Sequence, residues 1–287
     1  MAIIEIDGFK VYSNLDGTKS IIINSDCIEE CMKTYTKNHL HGVAITVHHG
    51  YKLQNIDFLS EYPGIKRLSI SDGIKDINAI HYLKNLESLI VSGKNRKIDF
   101  SNFLFLKELI ADWSLKFLNM DKCVQLKNLS LYNYSPRSKD CLTISNIRWL
   151  EKLIITQSTI TTLNGLEKFD QLKEVEFNYC SKLNTLCCLE ASKETLDTLL
   201  FDHCKSIKNH DYVMEFRNLK ILAFNNGGAI TSIKFIKRIN SLESFRFVGA
   251  DVTDGDMTPC IGLRYAAFTN KKHFSHTMDQ VKSLSKT

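Results

Sequence analysis

Between residues 42 and 268 the pattern L-x-x-L-x-L, with Ile, Val, Phe, Ala or Gly substituting, starts eleven times at spacings of 20 to 24 residues. Few architectures accept so short a period. Leu150-Leu153-Ile155, Leu172-Val175-Phe177 and Leu196-Leu199-Phe201 carry it plainly. The alternation is that of a strand with one buried side. After the first of these, Ile160, Leu163, Leu166 and Phe169 recur every third residue, which suits a tight 3₁₀-like return rather than a long amphipathic helix. One such unit is too short to enclose a core, so each apolar side must be covered by the next coil.

The pattern predicts an α/β solenoid over residues 42–268, about 11 coils, with a concave parallel β-sheet and loops or 3₁₀ turns on the convex side. Residues 1–41 read as a cap. Strands are expected at Ala2–Ile6, Phe9–Tyr12 and Ser20–Asn24, with turns at Asp7-Gly8 and Asp16-Gly17. A helix capped by Ser25 or Asp26 then runs to about His39. Residues 269–287 read as a tail that closes the last coil or frays from it, with a short helix around 277–284.

These starts resemble the short-repeat, internalin-like branch of the leucine-rich repeat proteins. In that family the ninth position holds Asn or Cys, whose side chain ties neighbouring coils together. Cys180 and Cys204 stand there, with Ser114 and Ser158 as polar stand-ins, while Gly50, Gly73, Lys94, Tyr134 and Gly227 interrupt the series. The ending Asn270-Lys271-Lys272-His273-Phe274-Ser275-His276 is similar to that of bacterial leucine-rich repeat proteins encoded near polymorphic toxins. That resemblance implies an immunity role.

Positions three, five, seven and eight of each coil point out of the concave sheet. They supply the expected partner-binding residues: Glu108, Asp112 and Trp113 from one coil, then Tyr132 and Asn133 from the next. Glu174, Glu176 and Tyr179 follow, and then Asp202 and His203. Over all coils these columns hold six acids (Asp72, Glu108, Asp112, Glu174, Glu176, Asp202) and three bases (Arg67, Lys152, Arg246), opposing the +5 of the whole chain. The expected partner is therefore a protein with a basic contact surface. Trp113, Tyr132 and Tyr179 are its expected apolar anchors, since exposed aromatics are enriched in binding hot spots.

Other chemistries find little support. There is no P-loop and no G-x-G-x-x-G, and no Ser or Cys is placed by a motif to act with Asp202 and His203. The reading is non-enzymatic, without cofactor or metal. Cys27 and Cys31 lie one helical turn apart and His39, His41, His48 and His49 follow, but the spacing fits no standard zinc site. The charge is too small and dispersed for nucleic acid, and no apolar run is long enough to span a membrane. MAIIEIDGFKVYS lacks the basic start and apolar core of a secretory leader, and the nine cysteines are scattered. The expected location is cytoplasmic; the oligomeric state stays open. The expected function is protein–protein interaction, with a toxin-neutralising immunity protein as its sharper form. The alternative is a secreted effector or adhesion-type protein that engages a host receptor.

Overall fold

The computed structural model describes residues 2–285 and divides into two compact units that meet in sequence at Asn128 and Leu129. In the first unit β1 (Ala2–Ile6) and β2 (Phe9–Ser13) pair antiparallel across Asp7 and Gly8. Both turn residues take positive φ, 50° and 83°, the geometry whose twist matches a two-residue hairpin. β3 (Lys19–Ile22) joins β2 antiparallel, and then the direction changes. β4 (Gly42–Ile45), β5 (Arg67–Ile70) and β6 (Ser88–Val91) add in parallel. β7 (Ile98–Asp99) leaves the main sheet, β8 (Glu108–Asp112) adds to β6, and β9 (Phe117–Leu118) pairs with β7.

The cap helix α1 (Ile28–Lys37) corrects one expectation. Its N-cap is Cys27, without a side-chain cap bond. Ser25 instead donates its hydroxyl to the Gly50 carbonyl, and Asp26 pairs with Lys52. Both side chains are drawn into contacts with the next coil. β3 also stops two residues early, because the Asn24 side chain accepts the Asp26 N–H and turns the chain towards α1.

The second unit takes over within β10 (Asn128–Tyr132). It continues through β11 (Lys152–Thr156), β12 (Glu174–Asn178), β13 (Thr198–Asp202) and β14 (Ile221–Asn225). β15 (Ala229–Ile230) and β17 (Asp251–Val252) form a separate parallel pair, while β16 (Ser244–Phe247) and β18 (Tyr265–Phe268) extend the main sheet. Register is conserved from coil to coil: Glu174 lies beside Thr198, Thr198 beside Ile221, and Ile221 beside Ser244. The returns carry 3₁₀ turns, such as His210–Glu215 and Lys234–Arg238, rather than long helices.

Positions one, four and six supply the core; Leu172, Val175 and Phe177 are all fully buried. Stacked rings fill position six, with Phe201 lying 5.7 Å from Phe177 and 5.3 Å from Phe224. The ninth-position ties form at Cys180, Cys204 and Ser158, whereas Ser114 Oγ accepts the Lys116 N–H of its own coil. Cys180 Sγ donates to the Ile155 carbonyl at 3.7 Å and Cys204 Sγ to the Phe177 carbonyl at 3.3 Å. Ser158 makes the same reach to the Tyr134 carbonyl. All nine cysteines are free thiols. The Cys204 side-chain hydrogen bond and burial push the Cys180 thiol up, in keeping with a neutral structural role.

Further ties lie outside those columns, such as Ser241 Oγ to the Leu219 carbonyl. Ser192 is fully buried in a return, and its hydroxyl donates to the Phe169 carbonyl one coil back. Ser192→Ala is expected to destabilise the second unit by about 1–2 kcal/mol, since the carbonyl is left buried without that partner. Urea unfolding checks it; an unchanged midpoint would remove Ser192 from the set of inter-coil ties.

The last coil is closed by the tail. Phe274 packs against Phe247 and Phe268, Lys271 pairs with Asp251 at 3.1 Å, and Ser275 Oγ accepts the Met257 N–H. α2 (Met278–Leu284) follows, started by a Thr277–Gln280 capping box.

Candidate interaction surface of the second unit

Position eight of the repeat governs the geometry here. Asn133, Gln157, Tyr179, His203 and Asn226 all take left-handed backbone, with φ between 49° and 57°, and Gly249 follows at 73°. In the first five, the N–H donates to the position-seven carbonyl of the next coil. The acceptors are Thr156, Asn178, Asp202, Asn225 and Val248, at 2.7–3.0 Å. A left-handed residue thus ends each strand and hydrogen-bonds its coil to the next. Gly suits that conformation, and Asn and His adopt it more readily than most residues; a bulky Tyr seldom does.

Because Tyr179 and His203 occupy the same position in successive coils, their rings stack, with centroids 4.3 Å apart and planes 13° from parallel. Tyr179 is 50% exposed. The neighbouring acids are held in place. Glu176 accepts from the Asn178 amide at 2.8 Å, and Asp202 Oδ1 accepts from the Asn226 amide at 2.9 Å. Asp202 Oδ2 lies 2.9 Å from His203 Nδ1. Two oriented carboxylates therefore flank one stacked aromatic pair.

The other expected residues fare differently. Glu174 is on the same face but pairs with Lys152 at 2.9 Å, so one acid fewer is free to meet a partner while the net excess is unchanged. Tyr132 is 43% exposed on β10, two strands from Tyr179, and Asn133 takes its place in the left-handed column. Glu108, Asp112 and Trp113 belong to the first unit. There Trp113 is half-buried, edge-on to Phe117 at 5.8 Å. Glu108 accepts from Ser88 at 2.6 Å and lies 3.6 Å from Arg67, while Asp112 accepts the Gly93 N–H. Asn178 and Asn226, which orient Glu176 and Asp202, were not among the expected residues. Their place in columns seven and eight is the signal that could have found them.

A groove of about 820 Å³ in the first unit is lined by Lys66, Arg67 and Lys107 together with Asp16, Glu87 and Glu108. These charges largely pair with one another. Cys31 is buried, which pushes its thiol up to about 11, and His41 Nδ1 accepts the Lys19 N–H. Among the described residues no three His, Cys, Asp or Glu side chains gather as metal ligands. No helix among them is long and apolar enough to cross a membrane.

No protein-family model matches the chain, and no curated protein matches it by sequence. Solved structures do match its fold. A leucine-rich repeat protein of Leptospira interrogans shares 12% identity at a TM-score of 0.61, over 93% of this chain and 75% of that one. An internalin of Listeria monocytogenes, InlF, shares 16% identity at 0.55, over 80% and 68%. The functional domain of Listeria InlJ, which includes a cysteine ladder, shares 17% at 0.50, over 74% and 49%.

Proposed function

On the premise that the chain folds as an internalin-like leucine-rich repeat solenoid, we propose that it is a non-enzymatic protein-binding module. Its second unit receives a basic protein surface on the open face of the sheet. The observation that carries this reading is the Tyr179–His203 stack beside Glu176 and Asp202. A left-handed backbone at a bulky residue costs on the order of 1–3 kcal/mol. Asn, already present at positions 133 and 226, would avoid most of it. Keeping Tyr at position 179 sacrifices stability for a rigid, half-exposed aromatic surface flanked by oriented carboxylates, the composition of a hot spot for cationic side chains.

Neutralisation of a toxin through a basic surface is the sharper form of this reading. Its support is the acidic, aromatic face; the tail residues that resemble immunity-type proteins are engaged in closing the last coil. Engagement of a host receptor is the alternative, and the identity of the partner separates the two. The test is affinity capture from lysate of the source organism, with wild type and a Tyr179→Asn/His203→Asn variant. One protein retained by wild type and lost by the variant is the expected result. Equal retention by both would move the interface off this face.

A further inference from the structure

Arg246 is the one feature of this face that the acidic reading does not use. It sits at position five of β16, between Ala223 of β14 and Ala267 of β18 in register. The other two bases of the outward columns are each compensated, Lys152 by Glu174, and Arg67 by Asp16 and Glu108. Among the described residues Arg246 makes no ion pair, and its Nε is closed off from solvent with no acceptor. Its surroundings hold no acid: Ser244, Asn225 and Thr269 are polar and the other outward neighbours are apolar. Ala223 and Ala267 are buried, and Ile221, Val248 and Tyr265 stand 37%, 43% and 54% exposed on the surrounding positions. A guanidinium partly stripped of water and without an ion-pair partner, beside exposed apolar side chains and no acid, is poised for a charged acceptor brought from outside, because such a pair strengthens as water leaves.

We propose that Arg246 receives a carboxylate of the same protein partner whose basic side chain meets Glu176 and Asp202. This rests on the sheet-face reading above and adds a second, opposite contact to it. Glu176 and Arg246 are separated by three strand steps, through Leu200 and Ala223. At the usual strand spacing this is about 14 Å. The partner must therefore present a base and an acid about 14 Å apart, which residues i and i+4 of an extended segment span with both side chains on one side. Such a bipolar footprint rejects a uniformly basic surface, which an acidic patch alone would accept.

The test uses the full chain. In the free protein an unpaired, half-desolvated charge is a burden, so Arg246→Met is expected to raise the melting temperature by about 2–4 °C. A lower melting temperature would show that Arg246 serves the fold and would overturn the proposal. Random dodecapeptides displayed on phage and selected on wild type are the binding probe. Enriched peptides are expected to carry an Asp or Glu whose change to Asn or Gln weakens binding about tenfold on wild type and not on Arg246→Met. Peptides lost on Tyr179→Asn/His203→Asn yet unaffected by Arg246→Met would overturn the carboxylate contact alone. Peptides indifferent to both variants would overturn the sheet-face reading with it.

Discussion

Phe201→Ala is expected to destabilise the second unit by about 3–5 kcal/mol, the range for emptying a fully buried phenylalanine site. The ring is 1% exposed and stacked between Phe177 and Phe224, themselves buried. The cavity would open between coils, where stability resides: each coil contacts only its neighbours, and weakening one interface uncouples what lies on either side. Phe201→Leu keeps most of the volume and is expected to cost less than about 1.5 kcal/mol. Urea unfolding followed by circular dichroism reads both. A loss below 1 kcal/mol for the alanine variant would mean that the aromatic spine does not hold the unit together.

Acid is expected to weaken the same unit through His210. This side chain is 6% exposed and lies edge-on to Phe224, with ring centroids 4.8 Å apart. Burial pushes its pKa down to about 4, against a smaller opposing effect of Asp211. The unfolded chain takes up the proton near 6.5, whereas the folded chain resists until about 4. The contribution is therefore complete above pH 6.5 and is lost as pH falls towards 4. At 1.36 kcal/mol per unit the loss is about 3 kcal/mol. Carboxylates held low by their partners, such as Glu215 beside Lys193 and Asp256 beside Thr258, give way at lower pH, below the ordinary carboxylate range. The interval from 6.5 to 4.5 thus isolates the histidine. Urea midpoints at pH 7.0, 5.5 and 4.5 are expected to fall for wild type and to stay level for His210→Gln. Parallel curves for the two proteins would assign the acid response to other groups.

Much of this architecture was legible because a solenoid writes its core into a fixed period. Leu172, Val175 and Phe177 could be placed inside, and Glu174 and Glu176 outside, from spacing alone. Equal positions in successive coils become neighbours, so the meeting of Tyr179 with His203 was implicit in the repeat. Less visible was the left-handed column that aims them. Asn133, Asn226 and Gly249 hint at it, but Gln157 and Tyr179 are residues that seldom adopt it. A side chain that reaches to the next coil was misjudged for a related reason: Ser25 reads as a helix cap until Gly50 offers its carbonyl. Trp113 gains a neighbour in its own coil, Phe117, that lies outside the repeat pattern. The Lys152–Glu174 pair shows that charge counts by column overstate what remains for a partner.

The most direct measurement is calorimetric titration of the captured partner into wild type and into Tyr179→Asn/His203→Asn. Asn is native to this column, so the variant is expected to melt at or above the wild-type temperature. The expected result is an affinity loss of about a hundredfold or more, as for two central hot-spot residues, with the fold intact. An affinity within about threefold of wild type, under 0.7 kcal/mol, would contradict the assignment of this face as the binding surface.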